Sequence, residues 1–537
     1  MNRSGLVDTY ARDNLPPVKS WPVFKGLEDL AYPARLNCAV ELIDRHVAQG
    51  RGDRIAVIGE DVTWTFAELA AQVNRIANVL TARGLKSGNR VMLRSANSPM
   101  MAAVYFAVLK AGGIVVATMP LLRAKELSVM LDKAAISLAV CDVKLRDEME
   151  KAAEGRPCEV VLFGDPEFDA EVAAASPEFT ACDTAADDVC LIGFTSGTTG
   201  IPKGTMHFHR DMLAICDCYA AKVLRAEADD RFIGSPPLAF TFGLGGLVLF
   251  PWRIGAAAIL VEKAAPDMLM DAAARHGATV MFTAPTAYRA MLAKLGDFDL
   301  SRLRKCVSAG EALPRATWEE WKAATGITIL DGIGATEMLH IFIAAPEEDV
   351  RPGATGKPVP GFEAKVIDES GATCPDGTPG RLAVRGPTGC RYLSDPRQED
   401  YVQNGWNVTG DTYIRDADGY FWYQARSDDM IISSGYNIAG PEVESGLLTH
   451  PAVAEAGVVA APDPERGQIA KAYVVLKSGH TADAVMAKAL QDHVKAELAP
   501  YKYPRAVSFV DALPRTETGK LQRFALRQRA AAEAGPA

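Results

Sequence analysis

An alternation of helix and strand patterns between residues 65 and 118 constrains the fold most strongly. Thr65 and Glu68 form a capping box, the reciprocal arrangement that begins a helix. Apolar residues then recur at spacings of three and four on one helix face, and they are Phe66, Leu69, Val73, Ile76 and Leu80. A short strand at 90–94, a helix that opens at Pro99 and an apolar strand at 114–118 follow. This order predicts parallel strands joined by helices.

Later segments extend this pattern and then change it. Apolar strands at 256–261, 279–282 and 303–308 are flanked by helical segments and predict a large α/β body with mostly parallel strands. Glycine and proline become dense from residue 352, where the strands at 363–367 and 381–385 favour β-hairpins.

Beyond residue 428 the chain alternates again between helices and strands, which predicts a compact α+β unit. We therefore predict an N-terminal domain over residues 1–427 that contains parallel and mixed sheets and a small β-rich subdomain near 352–427. A small α+β C-terminal domain over 428–537 follows it. The alanine-rich tail at 529–537 is predicted to fray.

Size and charge exclude several classes of protein. The 537 residues exceed what one core supports, and 48% hydrophobic with 23% charged residues is typical of a folded globular protein. The net charge of −10 offers no electrostatic footprint for nucleic acid. Nucleic acid is therefore not expected as a partner.

Cysteine spacing and apolar runs indicate the compartment. The ten cysteines form no C-x-x-C pair, so we expect reduced and mostly buried thiols. The N-terminus lacks the apolar run of a signal peptide, and the apolar stretches at 102–122 and 243–261 are interrupted by proline and basic residues. We expect a cytoplasmic protein with no membrane span.

A loop rich in glycine and hydroxyl groups follows the apolar run 189–194. It reads Thr195, Ser196, Gly197, Thr198, Thr199, Gly200, Ile201, Pro202, Lys203 and Gly204. Backbone amides freed by glycine, hydroxyl donors and one lysine can wrap phosphate groups. Pro202 excludes the P-loop pattern, and threonine occupies the nucleophile position of a G-x-S-x-G-like elbow. A plain surface turn is the alternative.

Three further motifs follow in order. Thr336 and Glu337 place a hydroxyl beside a carboxylate, the pair that a magnesium–phosphate contact needs. Asp411, in a Thr-Gly-Asp turn, offers a carboxylate for ribose hydroxyls, although such a turn is more often structural. Lys520 lies on a loop near the C-terminus, where a lone lysine is usually only solvated.

This ordered set resembles the acyl-adenylate-forming superfamily, which includes acyl-CoA synthetases, adenylation domains and beetle luciferases. The resemblance implies a mobile C-terminal domain that turns about a hinge at Asp428. It implies that Thr195–Gly204 binds the ATP phosphates, that Thr336 and Glu337 contact the α-phosphate and Mg²⁺, and that Lys520 bridges the acyl carboxylate and the α-phosphate. The remaining implied nucleotide contacts are an adenine wall of Ala309, Gly310, Glu311, Asp331, Gly332 and Ile333, and ribose contacts at Asp411 and Arg426.

Two segments are similar to those of benzoate and 2-aminobenzoate CoA ligases. The positions that would line an aryl pocket are Phe240, Thr241, Phe242, Gly334, Ala335, His340 and Ile341. Phenylalanine rings can form flat walls, and His340 can donate a hydrogen bond to a ring substituent. Core packing is the alternative for each of these side chains. Gly435 and Tyr436 match the loop that faces the pantetheine arm of CoA.

The resemblance implies a two-step ligase. ATP and a small aromatic carboxylate form an acyl-adenylate with release of pyrophosphate, and the thiol of CoA then takes the acyl group. Three alternatives remain open at this point: a CoA ligase for another small carboxylate, an adenylation enzyme that loads a carrier protein, and a non-catalytic nucleotide sensor. A homodimer is compatible with the sequence.

Overall fold

Four sheets and the helices packed on them form the described part of the chain. The computed structural model describes residues 4–195, 202–426, 429–433, 436–463, 466–498, 500–515 and 520–534. The α-helices of the first two-thirds of the chain are Tyr10–Asp13, Leu27–Leu30, Arg45–Ala48, Phe66–Ala82, Pro99–Lys110, Ala124–Lys133, Arg146–Ala153, Pro166–Ala174, His209–Ile215, Thr241–Leu244, Phe250–Ile254, Pro266–His276, Pro285–Leu292 and Arg315–Thr325. The later α-helices are Gln398–Tyr401, Gly440–Leu448, Ala484–Glu497 and Arg523–Ala534.

A six-stranded sheet contains the βαβ segment that the sequence predicted. Its spatial order is Glu159–Phe163, Leu138–Asp142, Arg90–Arg94, Ile114–Thr118, Val189–Thr195 and Lys203–Phe208. Its strands are parallel except for the last pair, which forms an antiparallel hairpin. Both halves of the predicted capping box are present at the start of the helix Phe66–Ala82.

A nine-stranded sheet forms the second layer of the large α/β body. Its order is Lys357–Pro358, Ile341–Ala344, Ile329–Gly334, Lys305–Ser308, Val280–Thr283, Arg231–Gly234, Ala257–Ile259, Ile55–Ile58 and Thr63–Thr65. The central pairs are parallel and the pairs at both ends are antiparallel. The predicted α/β class with mostly parallel strands is confirmed.

Two smaller sheets follow along the chain. An antiparallel sheet contains Glu363–Ile367, Gly380–Arg385, Trp406–Arg415, Val402–Gln403 and Phe421–Arg426. The last sheet contains Tyr436–Ile438, Ile431–Ser433, Gly467–Leu476, Val453–Asp463 and Ala506–Phe509. The hairpin predicted from the strands near 363 and 381 is present as an antiparallel pair.

The prediction that the chain frays from residue 529 is wrong up to Ala534. The final helix runs over Arg523–Ala534, and it buries Leu526 and Ala530 in a cluster with Tyr473. Glu533 accepts a hydrogen bond from the Tyr473 hydroxyl at 2.9 Å. An alanine-rich segment gives only a weak apolar pattern in the sequence. In the folded chain, Leu526 and Ala530 lie four residues apart on one face of the helix, and this face packs on the sheet.

The thiols and the helices agree with two further expectations. All ten cysteines are unpaired by disulfides, and seven of them are buried. Among the described residues, no helix combines the length and the apolar character that crossing a membrane requires.

Candidate active site

Three candidate segments begin at the carboxyl ends of strands, one in the six-stranded sheet and two in neighbouring strands of the nine-stranded sheet. Val189–Thr195 leads into the phosphate loop, Lys305–Ser308 into Ala309, and Ile329–Gly334 into Thr336. Ser308 and Asp331 lie opposite each other in adjacent parallel strands. Because ligands of α/β sheets bind beyond the carboxyl ends of the strands, this edge is where a nucleotide site is expected.

Part of the predicted site lies outside the described residues. This applies to Ser196, Gly197, Thr198, Thr199 and Gly200 of the loop, to the hinge residue Asp428 and to Gly435. Tyr436 begins the strand Tyr436–Ile438. The roles of these residues remain predictions.

Lys203 and Glu337 are joined through Tyr392. The Lys203 ammonium donates to the Tyr392 hydroxyl at 2.9 Å, and that hydroxyl donates to Glu337 Oε1 at 2.5 Å. The ammonium lies 3.6 Å from the same carboxylate oxygen. Tyr392 is fully buried, and burial together with the Glu337 charge raises its pKa, so its hydroxyl keeps its proton.

The turn that carries Thr336 and Glu337 is held against the hairpin of the phosphate loop. His207 Nε2 donates to the Thr336 carbonyl at 2.7 Å. Leu339 closes the turn with a φ of +71°, a value that is rare for a residue with a side chain. A Cβ at Gly193 would lie 2.9 Å from the Thr336 methyl group, so glycine permits this close approach.

Asp331 is a carboxylic acid in a poorly solvated position. Burial raises its pKa to about 8, against hydrogen bonds from the Gly332 backbone and the Ser308 side chain that lower it. Its Oδ1 atom has no hydrogen-bond partner among the described residues. A nearly neutral carboxyl group at this edge can both donate and accept a hydrogen bond.

Lys520 reaches the strand edge from the C-terminal part of the chain. A Cβ at Gly310 would lie 3.5 Å from Lys520 Cε and 3.8 Å from Nζ, and Gly310 itself has a φ of +89°. Lys520 keeps a solvent-exposed side, yet desolvation lowers the pKa of its ammonium. The charges of Glu311 and Asp411 oppose this shift, whereas Arg426 adds to it.

Glu311 faces the same C-terminal loop. Its Oε1 lies 3.9 Å from Arg515 Nη1, and its side chain is 16% exposed. Burial raises the pKa of Glu311, while the charges of Arg515 and Lys520 lower it. The residue predicted to border adenine therefore also contacts cations from beyond residue 428.

Asp411 and Arg426 are opposite each other in two antiparallel strands. Arg426 Nη1 donates to Asp411 Oδ1 at 3.1 Å. A Cβ at Gly410 would lie only 2.5 Å from the guanidinium, so glycine leaves room for it. Burial raises the pKa of Asp411, and the Arg426 charge lowers it. The two predicted ribose contacts are thus brought together.

The predicted aryl pocket contains a histidine surrounded by aromatic rings. His340 is 2% exposed, and its ring centroid lies 4.5 Å from Phe250 and 5.6 Å from both Phe242 and Tyr219. Phe282 lies 6.4 Å away. A Cβ at Gly245 would lie 2.3 Å from the imidazole, so glycine is required there.

The protonation of His340 favours an acceptor role rather than the predicted donor role. Burial lowers its pKa to about 3, so the imidazole is neutral. Nε2 lies 3.4 Å from the Phe242 carbonyl oxygen, which can only accept, so Nε2 carries the proton. Nδ1 then has the lone pair, and it has no partner among the described residues.

The other predicted pocket residues lie on the segments around His340. Phe240, Thr241 and Ala335 are half-buried, Gly334 is exposed and Ile341 is buried. A Cβ at Gly334 would lie 2.9 Å from the His340 carbonyl. The segment that begins at Gly334 also carries Thr336 and Glu337, so the pocket borders the phosphate contacts.

Several residues of the site could not be found from motifs. Tyr392 belongs to none of the motifs read from the sequence, and it reaches Lys203 from 189 positions away. Phe250 and Phe282 belong to apolar runs typical of core. Arg515 carried no signal apart from its nearness to Lys520.

Two family profiles match the chain. The profile of the AMP-binding enzyme family matches residues 44–392, and that of the AMP-binding enzyme C-terminal domain matches residues 442–520.

Similar proteins match over nearly the whole chain. The benzoate–CoA ligase of Thauera aromatica is 38% identical over 510 residues, which are 92% of this chain and 96% of that protein. The 3-hydroxybenzoate–CoA ligase of an Aromatoleum species is 34% identical, with 92% and 97% covered. The crystal structure of the anthranilate CoA ligase AuaEII with anthranoyl-AMP superposes with a TM-score of 0.90 at 35% identity, covering 94% of this chain and 99% of that one.

Proposed function

The chain belongs to the AMP-binding enzyme family and is an AMP-forming acid–CoA ligase, and we propose that its acid is a small aromatic carboxylate of the benzoate or 2-aminobenzoate type. ATP and CoA are the cosubstrates of such a ligase. Benzoate, 3-hydroxybenzoate and anthranilate ligases among the similar proteins support this choice of acid.

The aromatic surroundings of His340 carry the proposal. Phe242, Phe250 and Phe282 pack around its ring at the end of the segment that also presents Thr336. Flat apolar walls suit a planar ring better than a flexible chain. The unpartnered Nδ1 atom suits a ring substituent that donates a hydrogen bond, such as an amino or hydroxyl group.

Adenylation is the first half-reaction. The acid's carboxylate attacks the α-phosphorus of ATP, forming the acyl–phosphate bond as the bond to pyrophosphate breaks. Lys203, Thr336 and Lys520 stabilise the negative charge that gathers on the phosphate oxygens. Asp411 and Arg426 hold the ribose, and Ala309 and Gly310 with Asp331 to Ile333 border the adenine.

Thr336 and Glu337 offer oxygen donors of the kind that Mg²⁺ binds. Glu337 would hold the ion together with the phosphates, since Mg²⁺ prefers carboxylate and phosphate oxygens, and Thr336 adds a hydroxyl beside it. When bound, the ion would neutralise part of the negative charge of the phosphates. Tyr392 keeps the Glu337 carboxylate in place, because its hydroxyl donates to Oε1.

Thioester formation is the second half-reaction. The thiol of CoA gives up its proton to solvent as its sulfur attacks the acyl carbon, a C–S bond forms, and AMP leaves with the electron pair of the broken acyl–oxygen bond. We assign residues 1–427 and 428–537 to two domains, with Asp428 as the hinge. Rotation about this hinge would withdraw Lys520 from the site of adenylation. Gly435 and Tyr436 would then lie beside the path of CoA. No protein nucleophile is required by either step.

The test is a comparison of acids with the purified protein, ATP, Mg²⁺ and CoA. AMP release should give a kcat/KM for benzoate and 2-aminobenzoate that greatly exceeds the value for octanoate. Fluorobenzoates should still react, because small changes in a pocket discriminate by only about 1–3 kcal/mol. A kcat/KM for octanoate above that for both aromatic acids would contradict the proposal.

A further inference from the structure

Glu311 lies where the two halves of the molecule meet. It follows the strand Lys305–Ser308 of the nine-stranded sheet, and its carboxylate lies 3.9 Å from Arg515. Arg515 also donates to Glu455 at 2.5 Å, in the strand Val453–Asp463 of the last sheet. Arg515 therefore connects the C-terminal sheet to the edge of the nucleotide site.

Lys520, five positions after Arg515 in the chain, is a second cation whose charge acts on this carboxylate. Its side chain lies against Gly310, the residue before Glu311. Of the charged side chains around the Lys520 ammonium, Glu311 has the largest effect on its pKa. Two cations of the C-terminal part, Arg515 and Lys520, thus act on one largely buried carboxylate of the N-terminal part.

Burial makes this convergence energetically important. The Glu311 side chain is 16% exposed, so its charge has lost most of its hydration. A largely buried carboxylate is stabilised mainly by the cations beside it. Removing those cations leaves an unpaired buried charge, which is energetically unfavourable. A neighbouring hydrogen bond joins the same two parts: Arg289 donates to the Val453 carbonyl at 3.3 Å. This acceptor is neutral, unlike the Glu311 carboxylate.

Resting on the proposed function, we propose that Glu311 is a positioning residue that draws Arg515 and Lys520 into the cleft and so holds the C-terminal domain in its adenylate-forming orientation. Its carboxylate serves the first half-reaction and is released in the second, when the domain turns. This role differs from a contact to adenine. An adenine contact would change the KM for ATP, whereas a positioning contact changes the rate of adenylation.

The first measurement needs no acid and no CoA. Trypsin cleaves after arginine and lysine, and cleavage after Arg515 and Lys520 requires their side chains to leave Glu311. We expect Glu311→Gln to be cleaved at these two positions about fivefold faster than wild type, as read by mass spectrometry. This result is independent of the identity of the acid, so failure of the proposed substrate class would not obscure it.

The second measurement separates the half-reactions. Pyrophosphate release from ATP and benzoate without CoA should slow about tenfold in Glu311→Gln at saturating ATP. Benzoyl-CoA formation from synthetic benzoyl-adenylate should stay within about twofold of wild type. Adding Arg515→Gln to Glu311→Gln should cause little further loss of adenylation, because the contact between the two parts is already lost and the remaining pair of Arg515 with Glu455 lies within the C-terminal part.

Glu319→Gln is the matched control. Glu319 pairs with Arg315 at 2.7 Å on an exposed helix surface, so the same chemical change removes an ion pair that joins no second domain. This variant should behave as wild type in both measurements. Unchanged tryptic cleavage of Glu311→Gln, equal losses in both half-reactions, or a raised KM for ATP with unchanged kcat would each overturn the inference.

Discussion

Tyr392 places one hydroxyl group between two oppositely charged side chains. It accepts from Lys203 at 2.9 Å and donates to Glu337 at 2.5 Å. The Lys203 ammonium also lies 4.9 Å from the centre of the Tyr392 ring. The hydroxyl therefore fixes the Lys203 ammonium and the Glu337 carboxylate, which also lie 3.6 Å apart, relative to each other.

Tyr392→Phe removes only this hydroxyl. A hydrogen bond to a charged group is worth about 1.5–3 kcal/mol, so pyrophosphate release should slow roughly ten- to hundredfold. Tyr401→Phe is the control, because the Tyr401 ring lies 5.8 Å from Lys203 and its hydroxyl has no partner among the described residues. Equal rates for the two variants would show that the ring of Tyr392, and not its hydroxyl, serves the site.

Asp331→Asn tests the carboxyl group with the raised pKa. The pKa is about 8 in the folded protein against a model-compound value of 3.8, so the folded state keeps a proton that the unfolded state loses. The contribution of Asp331 to stability is therefore fully present below pH 3.8 and is lost as the pH rises towards 8. Without nucleotide, Asp331→Asn should exceed wild type in stability at pH 8 by at least about 1.4 kcal/mol.

The measurement is urea unfolding at several pH values. The stability difference between Asp331→Asn and wild type should shrink as the pH falls from 8 to 4. A constant difference across this range would mean that Asp331 is already ionised in the folded protein.

The final helix shows how packing decides the state of an element. Arg523–Ala534 contains four alanines after Leu526 whose sequence alone suggests a loose end, yet Leu526 is 1% exposed and packs with Tyr473 and Val459. The helix starts three residues after Lys520. Its anchoring therefore limits where that lysine can lie.

Leu526→Ala should destabilise the C-terminal unit. Truncating a buried leucine costs about 2–5 kcal/mol, which urea unfolding can measure. Phe524→Ala, at a position that is 54% exposed on the same helix, should stay within about 0.5 kcal/mol of wild type. Similar losses in the two variants would indicate that the helix packs through its other face.

At the scale of the whole molecule, packing of the C-terminal part on the rest of the chain brings Lys520 to strand ends that lie about 200 residues earlier in the sequence. Its side chain lies against Gly310, and its ammonium interacts with both Glu311 and Asp411. This arrangement suits the first half-reaction, in which the acyl carboxylate and the α-phosphate gather negative charge. In the proposed mechanism the lysine is withdrawn before CoA attacks.

Lys520→Ala should therefore affect one half-reaction only. Loss of one transition-state contact costs roughly a hundred- to a thousandfold in rate, so pyrophosphate release from ATP and benzoate should slow by at least that factor. Benzoyl-CoA formation from synthetic benzoyl-adenylate should be nearly unchanged. Normal pyrophosphate release would contradict the catalytic role, and comparable losses in both steps would indicate a structural role.

Local spacing was enough to predict much of the chain. The capping box at Thr65, the apolar strand at 114–118 and the hairpin of Glu363–Ile367 with Gly380–Arg385 appear as expected. The capping box depends on residues three apart, and each strand follows from the apolar pattern of its own few residues. The motif order from Thr195 to Lys520 led to the correct family. These features depend on residues close together in the chain, and such patterns are visible in one dimension.

Tertiary structure alone decided which of these residues meet and in what chemical state. Tyr392 joins Lys203 to Glu337, aromatic rings from separate helices and strands enclose His340, and Arg515 reaches Glu311 across 204 positions. The proton on His340 Nε2 and the raised pKa of Asp331 follow from burial, which no local pattern reports. Contacts between distant segments depend on how whole sheets pack, so their partners and their desolvation appear only when the chain is folded.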